Sequence, residues 1–206
     1  MSRNRDKRMD GIVDATVQTI ARNGLPQLRI KDIAAEAEVS ERLVSYYYPQ
    51  LEDLVSATHR KASERYYWNR LNAIDKHLNP TKALTGLIES GLPSGREDVL
   101  TRVLFELSLS AARSEQHEQL MSDLYRDEVS LYQRVLEKGR DTGDFVLAAE
   151  PLALARAFIA MEDGLGLQII AGSGALSTAQ ARGILLRFAA VATGAGIEHP
   201  DADSGS

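Results

Sequence analysis

The chain contains no cysteine, which excludes disulfides, thiolate metal ligands and cysteine nucleophiles. It also lacks long apolar runs. One of the most apolar stretches, LALARAFIAM (152–161), is interrupted by Arg156 and falls short of the ~20 residues that a bilayer span requires. The N-terminal MSRNRDKRMD has no apolar segment of the kind a secretory signal needs, so a cytoplasmic location and no membrane partner are expected. Alternating strand patterns are missing, as are Asn-Gly and Asp-Gly hairpin turns between apolar runs. There is no glycine-rich phosphate loop, no nucleophile elbow and no His-x-x-x-His pair, and the four histidines, His59, His77, His117 and His199, are scattered. His117-Glu118 with Asp123 has the composition of a metal site but the spacing of a solvated helix face. The expectation is therefore a protein that is no enzyme and has no cofactor or metal.

What remains is the composition of an ordinary soluble chain, 44% hydrophobic and 26% charged, long enough at 206 residues for one or two domains. The net charge of −5 by itself argues against a polyanionic partner, but its distribution reverses that inference. Residues 1–50 carry eight Lys/Arg against seven Asp/Glu, so the acidity belongs to the rest of the chain. Arg3, Arg5, Lys7 and Arg8 crowd the first eight residues, a pattern that suits a flexible basic arm beside a phosphate backbone and equally a solvated polar tail.

Helical periodicity recurs throughout, and the fold class it predicts is all-α. Ile12, Val13, Thr16, Val17 and Ile20 fall on one face of a first helix that stops at Asn23-Gly24, and Leu25-Pro26 forces a turn. A short helix is predicted over 30–38 with Ile33, Ala34 and Ala37 inward. Ser40 is placed to cap a third helix over 41–48, and Pro49 ends that helix. A long helix is predicted over 51–77, then others near 81–90, 97–113, 116–140, 150–171 and 177–193. Two short helices joined by Glu38-Val39-Ser40, with Val39, Val44 and Tyr48 filling the space between them, make a helix-turn-helix whose second helix can enter a major groove.

These residues also carry a family likeness. The stretch IKDIAAEAEVSERLVSYYYPQLEDL (30–54) resembles the DNA-binding signature of TetR-type regulators: Gly24, Ile33-Ala34, Ala37, Val39-Ser40, Tyr47, Tyr48 and Glu52-Asp53-Leu54 fall in register with it. The likeness covers roughly residues 9–55. Departures from the pattern are Glu38 where a glycine is usual, Arg42 at a small-residue position, Leu51 where a lysine contacts phosphate, and Arg29 where Ser or Thr opens the helix. The resemblance implies a repressor that binds double-stranded operator DNA as a homodimer and responds to a small-molecule effector. Its DNA-binding residues would be Lys31, Ser40, Glu41, Arg42, Leu43, Ser45, Tyr46 and Tyr47. Of these, Glu41, Arg42 and Leu43 meet base edges first, and Lys31, Tyr46 and Tyr47 hold phosphates.

The expected organisation is a helix-turn-helix domain at 1–50, a helical effector-binding and dimerisation domain at 51–198 and a disordered tail at 199–206. The resemblance also implies that the last two long helices pair with those of a second copy; segments 152–172 and 181–196 permit this, since both mix apolar and small residues, and ordinary monomer core is the alternative. For the effector pocket, Glu162 and Asp163 stand out as carboxylates inside an apolar segment, where one of them would meet a cationic or hydroxylated ligand or form a salt bridge between helices. Trp68, Phe105, Glu106 and Tyr132 are further pocket candidates. The alternative function is a helical small-molecule binding or scaffold protein without operator binding.

Overall fold

The computed structural model describes residues 2–76, 78–111, 115–172, 174 and 176–198; His77, His199 and the predicted tail lie outside them. Among the described residues there are nine α-helices, one 3-10 turn and no strand. The helices are α1 (Ser2–Asn23), α2 (Ile30–Glu36), α3 (Glu41–Tyr47), α4 (Leu51–Asp75), α5 (Pro80–Gly91), α6 (Val99–Ala111), α7 (Glu115–Asp141), α8 (Pro151–Ala171) and α9 (Thr178–Thr193). No described helix is long and apolar enough to cross a membrane.

Two compact units emerge. One comprises Met1–Tyr66 with Val99–Asp123, the other Tyr67–Asp98 with Leu124–Ser206, so α4 and α7 each contribute to both. In the first unit, α1 buries Ile12, Val13, Val17 and Ile20, and its two buried threonines donate to carbonyls one turn back: Thr16 Oγ1 to Ile12 O and Thr19 Oγ1 to Ala15 O, each 2.8 Å. Such local bonds let hydroxyls enter a core without a lost partner. The basic arm expected at the N-terminus is helical from Ser2. Nothing before Gly11 breaks a helix, and adding residues to an existing helix is easy compared with nucleating one.

Gly24, at φ 78°, ends α1, and a 3-10 turn over Leu25–Gln27 leads to α2. The α6 helix packs on α1, and its Glu106 carboxylate accepts from the backbone N–H of Leu25 at 3.1 Å. It thereby holds the exit of α1 from a residue 81 positions away.

The second unit packs α5, α8, α9 and the later parts of α4 and α7 around one core. Tyr132 of α7 stacks on Phe158 of α8 at 4.8 Å between ring centroids, and Phe188 of α9 meets Phe158 edge-on at 5.0 Å. Leu84, Leu87 and Ile88 of α5 and Leu185, Leu186 and Ala189 of α9 close the core. Helix α9 opens with a capping box, Ser177 and Gln180 each bonding the other's backbone, and ends at Gly194 in the left-handed region.

Candidate nucleic-acid interface and buried charge cluster

The turn between α2 and α3 fixes the direction of the third helix. Val39 N–H donates to Ala34 O at 2.9 Å and Glu38 N–H to Ala35 O at 3.3 Å, the paired bonds of a Schellman ending. That ending requires a left-handed residue between them, and Glu38 supplies it at φ 53°, the one non-glycine with positive φ among the described residues. Ser40 then caps α3 by accepting from Leu43 N–H at 3.2 Å, as expected from the sequence. Val44 is fully buried and Tyr48 nearly so, which locks α3 against α2.

With that side anchored, Glu41, Arg42, Ser45 and Tyr46 are exposed, while Leu43 and Tyr47 are half-buried. Tyr46 is 75% exposed and meets Tyr47 edge-on at 5.2 Å. Lys31 is exposed in the first turn of α2, next to an Arg29 N-cap that makes no side-chain cap bond. Leu51, at the start of α4, is half-buried.

The pocket candidates separate. Glu106 is engaged with Leu25 in the first unit, where Phe105 is half-buried. Trp68 is 56% exposed and touches Tyr67 edge-on, and Asp163 is exposed. Tyr132 and Glu162 are brought into direct contact inside the second unit, the Tyr132 hydroxyl donating to Glu162 Oε1.

Two partners that the sequence did not single out complete that cluster. The guanidinium of Arg70, from α4, is wholly buried; its Nη2 lies 2.9 Å from Glu162 Oε2 and its Nε 3.7 Å from Glu128 Oε1 of α7. Its charged carbon sits 5.5 Å from the centre of the Tyr132 ring, in cation–π range. Gly91, the last residue of α5, is where the backbone approaches the group: a Cβ there would fall 2.1 Å from Arg70 Nη1 and 2.2 Å from Glu162 Oε1. Two buried carboxylates face one guanidinium. Burial pushes Glu128 up to about 8 and Glu162 up to about 7, although Arg70 opposes the shift at both and the Tyr132 hydroxyl opposes it at Glu162.

The signal that could have found these partners was present. Arg70 lies on the buried stripe of α4 that runs through Leu54, Thr58, Ala62 and Ile74, and Glu128 lies on that of α7 with Leu124, Leu131 and Val135. Charges on an apolar stripe are the informative exceptions.

A second unanticipated pair occurs in the first unit. His59 Nδ1 and His117 Nδ1 are 2.9 Å apart, the rings stack, and His59 Nε2 lies 3.1 Å from Met121 Sδ. Burial, and then His117, lower His59 to about 4; burial lowers His117 as well. Elsewhere in the second unit an open groove of about 430 Å³ is lined by Thr81, Lys82, Thr85, Glu89, Arg182 and Glu198 among others. Arg182 is bonded there to Glu89.

Residues 12–58 match the family of bacterial regulatory proteins of the tetR type, and residues 80–193 match the BetI-type transcriptional repressor C-terminal domain. The chain is 29% identical over 169 residues to YfiR, an HTH-type transcriptional regulator of Bacillus subtilis (strain 168), covering 79% of this chain and 80% of that protein. A transcriptional regulator of Saccharomonospora viridis, solved in complex with choline, superposes with a TM-score of 0.84 at 22% identity, over 97% of this chain and all of that one. A TetR regulator of Haloarcula marismortui superposes with a TM-score of 0.81 at 21% identity, over 91% of this chain and 99% of its own. The two family matches together span the helix-turn-helix and more than half of the chain beyond it. The protein therefore belongs to the TetR family of helix-turn-helix transcriptional regulators, DNA-binding transcription factors rather than enzymes.

Proposed function

We propose that this regulator is a cytoplasmic repressor that binds a near-palindromic operator as a homodimer and is released by a small cationic effector held in the second unit. The observation that carries the DNA-binding part is the exposed face of α3, with Glu41, Arg42, Ser45 and Tyr46 presented on a helix that Val44, Tyr48 and the Ser40 cap hold in place. In this reading Arg42 pairs with a guanine edge and Leu43 packs on a thymine methyl. Lys31, Tyr46 and Tyr47 hold phosphates and set the register without reading sequence.

The homodimer reading is supported by α8. Its exposed positions are Leu152, Ala153, Arg156, Ala160, Asp163, Gly164, Leu167, Gln168 and Ala171, six of the nine small or apolar. Leu152 and Leu167 are 41% and 52% exposed, and a face of this kind fits a second copy of itself. For the effector, the choline complex of the Saccharomonospora viridis regulator supports a cation, and the buried Glu162 with Tyr132 supplies the matching chemistry, a carboxylate beside an aromatic face.

Selection of binding sites from a random duplex library, with the purified protein at moderate salt, tests the reading. Recovery of an inverted repeat with half-sites about one helical turn, ~34–36 Å, apart is the expected result. A folded protein that enriches no sequence at any salt would instead point to a small-molecule binding or scaffold role. With an operator in hand, choline and related alkylammonium ions are expected to lower DNA affinity, read by fluorescence anisotropy.

A further inference from the structure

The Arg70–Glu128–Glu162–Tyr132 cluster is an expensive thing to build into a core. Desolvating several charges is repaid only in part by their attraction, and apolar residues of similar volume often do as well. Stability alone therefore gives little reason for it. The second unit here is also the place where the proposed effector binds, and the inference that follows rests on that reading.

The guanidinium of Arg70 already has the surroundings that a cationic effector would need. Glu162 Oε2 accepts from it, Glu128 lies 3.7 Å from its Nε, the Tyr132 ring faces its charged carbon, and Gly91 leaves it room that any larger residue would close. Arg70, Tyr132 and Phe158 are fully buried, so the cluster as it stands is packed. Adding a second cation to it would require both new volume and new charge. Exchanging one cation for another requires neither, because the charge facing Glu128 and Glu162 is the same before and after.

We infer that Arg70 is a built-in competitor for the effector site: a small guanidinium or alkylammonium cation binds at Glu162, Glu128 and Tyr132 by taking the place of the Arg70 side chain. The consequence for DNA follows from the chain itself. Arg70 is carried by α4, whose earlier residues, Leu51 to Tyr66, belong to the unit that contains the helix-turn-helix. Expelling Arg70 removes an anchor from the later part of that helix, and the effector gains control of α4 by its differential affinity for the two states. Apparent affinity is lowered by the fraction of time that Arg70 holds the site, so removal of the arginine tightens cation binding.

The test uses full-length protein and methylguanidinium chloride at millimolar concentration, with sodium chloride as the ionic-strength control. The Arg70 Nε–H resonance of the wild-type protein, assigned by its loss in Arg70→Lys, is expected to be protected from water exchange in the free protein. It is expected to lose about tenfold or more of that protection as the probe saturates. Arg70→Ala is expected to bind methylguanidinium about tenfold or more tighter than wild type by calorimetry. A bound probe that leaves Arg70 protected, or an Arg70→Ala variant that binds no better, overturns the exchange. Should Arg70→Ala fail to fold, the wild-type resonance alone decides. If choline releases DNA while Arg70 stays protected, only the exchange is lost. If neither choline nor methylguanidinium binds wild type, the cationic-effector reading and the exchange fail together.

Discussion

Glu38 carries the clearest backbone strain among the described residues. At φ 53° a side chain with a Cβ sits in a region that is about 1–2 kcal/mol less favourable than the right-handed one, and only glycine escapes that penalty. The Schellman bonds of Ala34 and Ala35 oblige the residue to be there, so the departure from the usual glycine is a departure from the least strained choice. Glu38→Gly is expected to raise stability by roughly 1 kcal/mol, somewhat less than the full strain because glycine also frees the unfolded chain. A urea midpoint that rises with an unchanged slope would register it, and an unchanged or lower midpoint would contradict the turn described above. Arg42 is a second residue-scale test. Arg42→Ala is expected to weaken discrimination at one base pair of each half-site by about 1–3 kcal/mol, leaving binding to unrelated duplexes nearly unchanged. Uniform affinities for operator and variant operators, before and after the substitution, would move the recognition helix away from Arg42.

At the scale of elements, the order of the helices and most of their ends are legible in the sequence because local chemistry sets them. Asn23-Gly24 ends α1, Ser40 caps α3, and Gly143 and Gly172 close α7 and α8 with positive φ. Asn79 caps the following helix: its side chain accepts from Lys82 N–H at 3.0 Å, so α5 starts at Pro80. The partnership of elements far apart in sequence is not legible in this way, because period and breakers say which face is buried and not against what. Nothing local announces that α6 joins α1 in the first unit, or that His59 meets His117 across 58 positions. Glu162 was legible as an oddity, and its partners Arg70 and Glu128 were visible only as charges on apolar stripes. The α1–α6 contact makes a test at this scale. Glu106→Ala leaves the Leu25 N–H without its carboxylate, and a lost charge-assisted bond of this kind is expected to cost about 1–3 kcal/mol. Thermal unfolding of Glu106→Ala should show it, together with faster amide exchange at Leu25; an unaltered Leu25 amide would mean that Glu106 does not hold the turn.

For the whole molecule, the two buried clusters impose opposite pH dependences, one on each unit. The His59 imidazole has its pKa lowered from 6.5 to about 4 in the folded chain, so between these values the unfolded chain binds more protons. Stability is therefore lost as pH falls through that window, by roughly 3 kcal/mol. Glu128 and Glu162 are raised from 4.5 to about 8 and about 7, so there the folded chain binds more protons and stability is lost as pH rises toward 8. The groups that face these carboxyls are Arg70 on α4, Tyr132 and Asp127 on α7 and Asp163 on α8, and among them only Arg70 is cationic. Two opposing slopes place the maximum of stability on the acid side of neutrality. Trp68, the single tryptophan, belongs to the second unit and reports that unit's unfolding, whereas far-UV circular dichroism reports both. Urea unfolding followed by tryptophan emission is expected to show falling stability from pH 6.5 to 8, with the fall reduced in Glu128→Gln. On the acid limb, from pH 6.5 to 5, the two carboxyls outweigh the His59 imidazole, so circular dichroism is expected to show stability rising as pH falls, and rising more steeply in His59→Asn. If the two substitutions left both limbs as steep as in wild type, the buried pairs would not be the groups that set the pH profile.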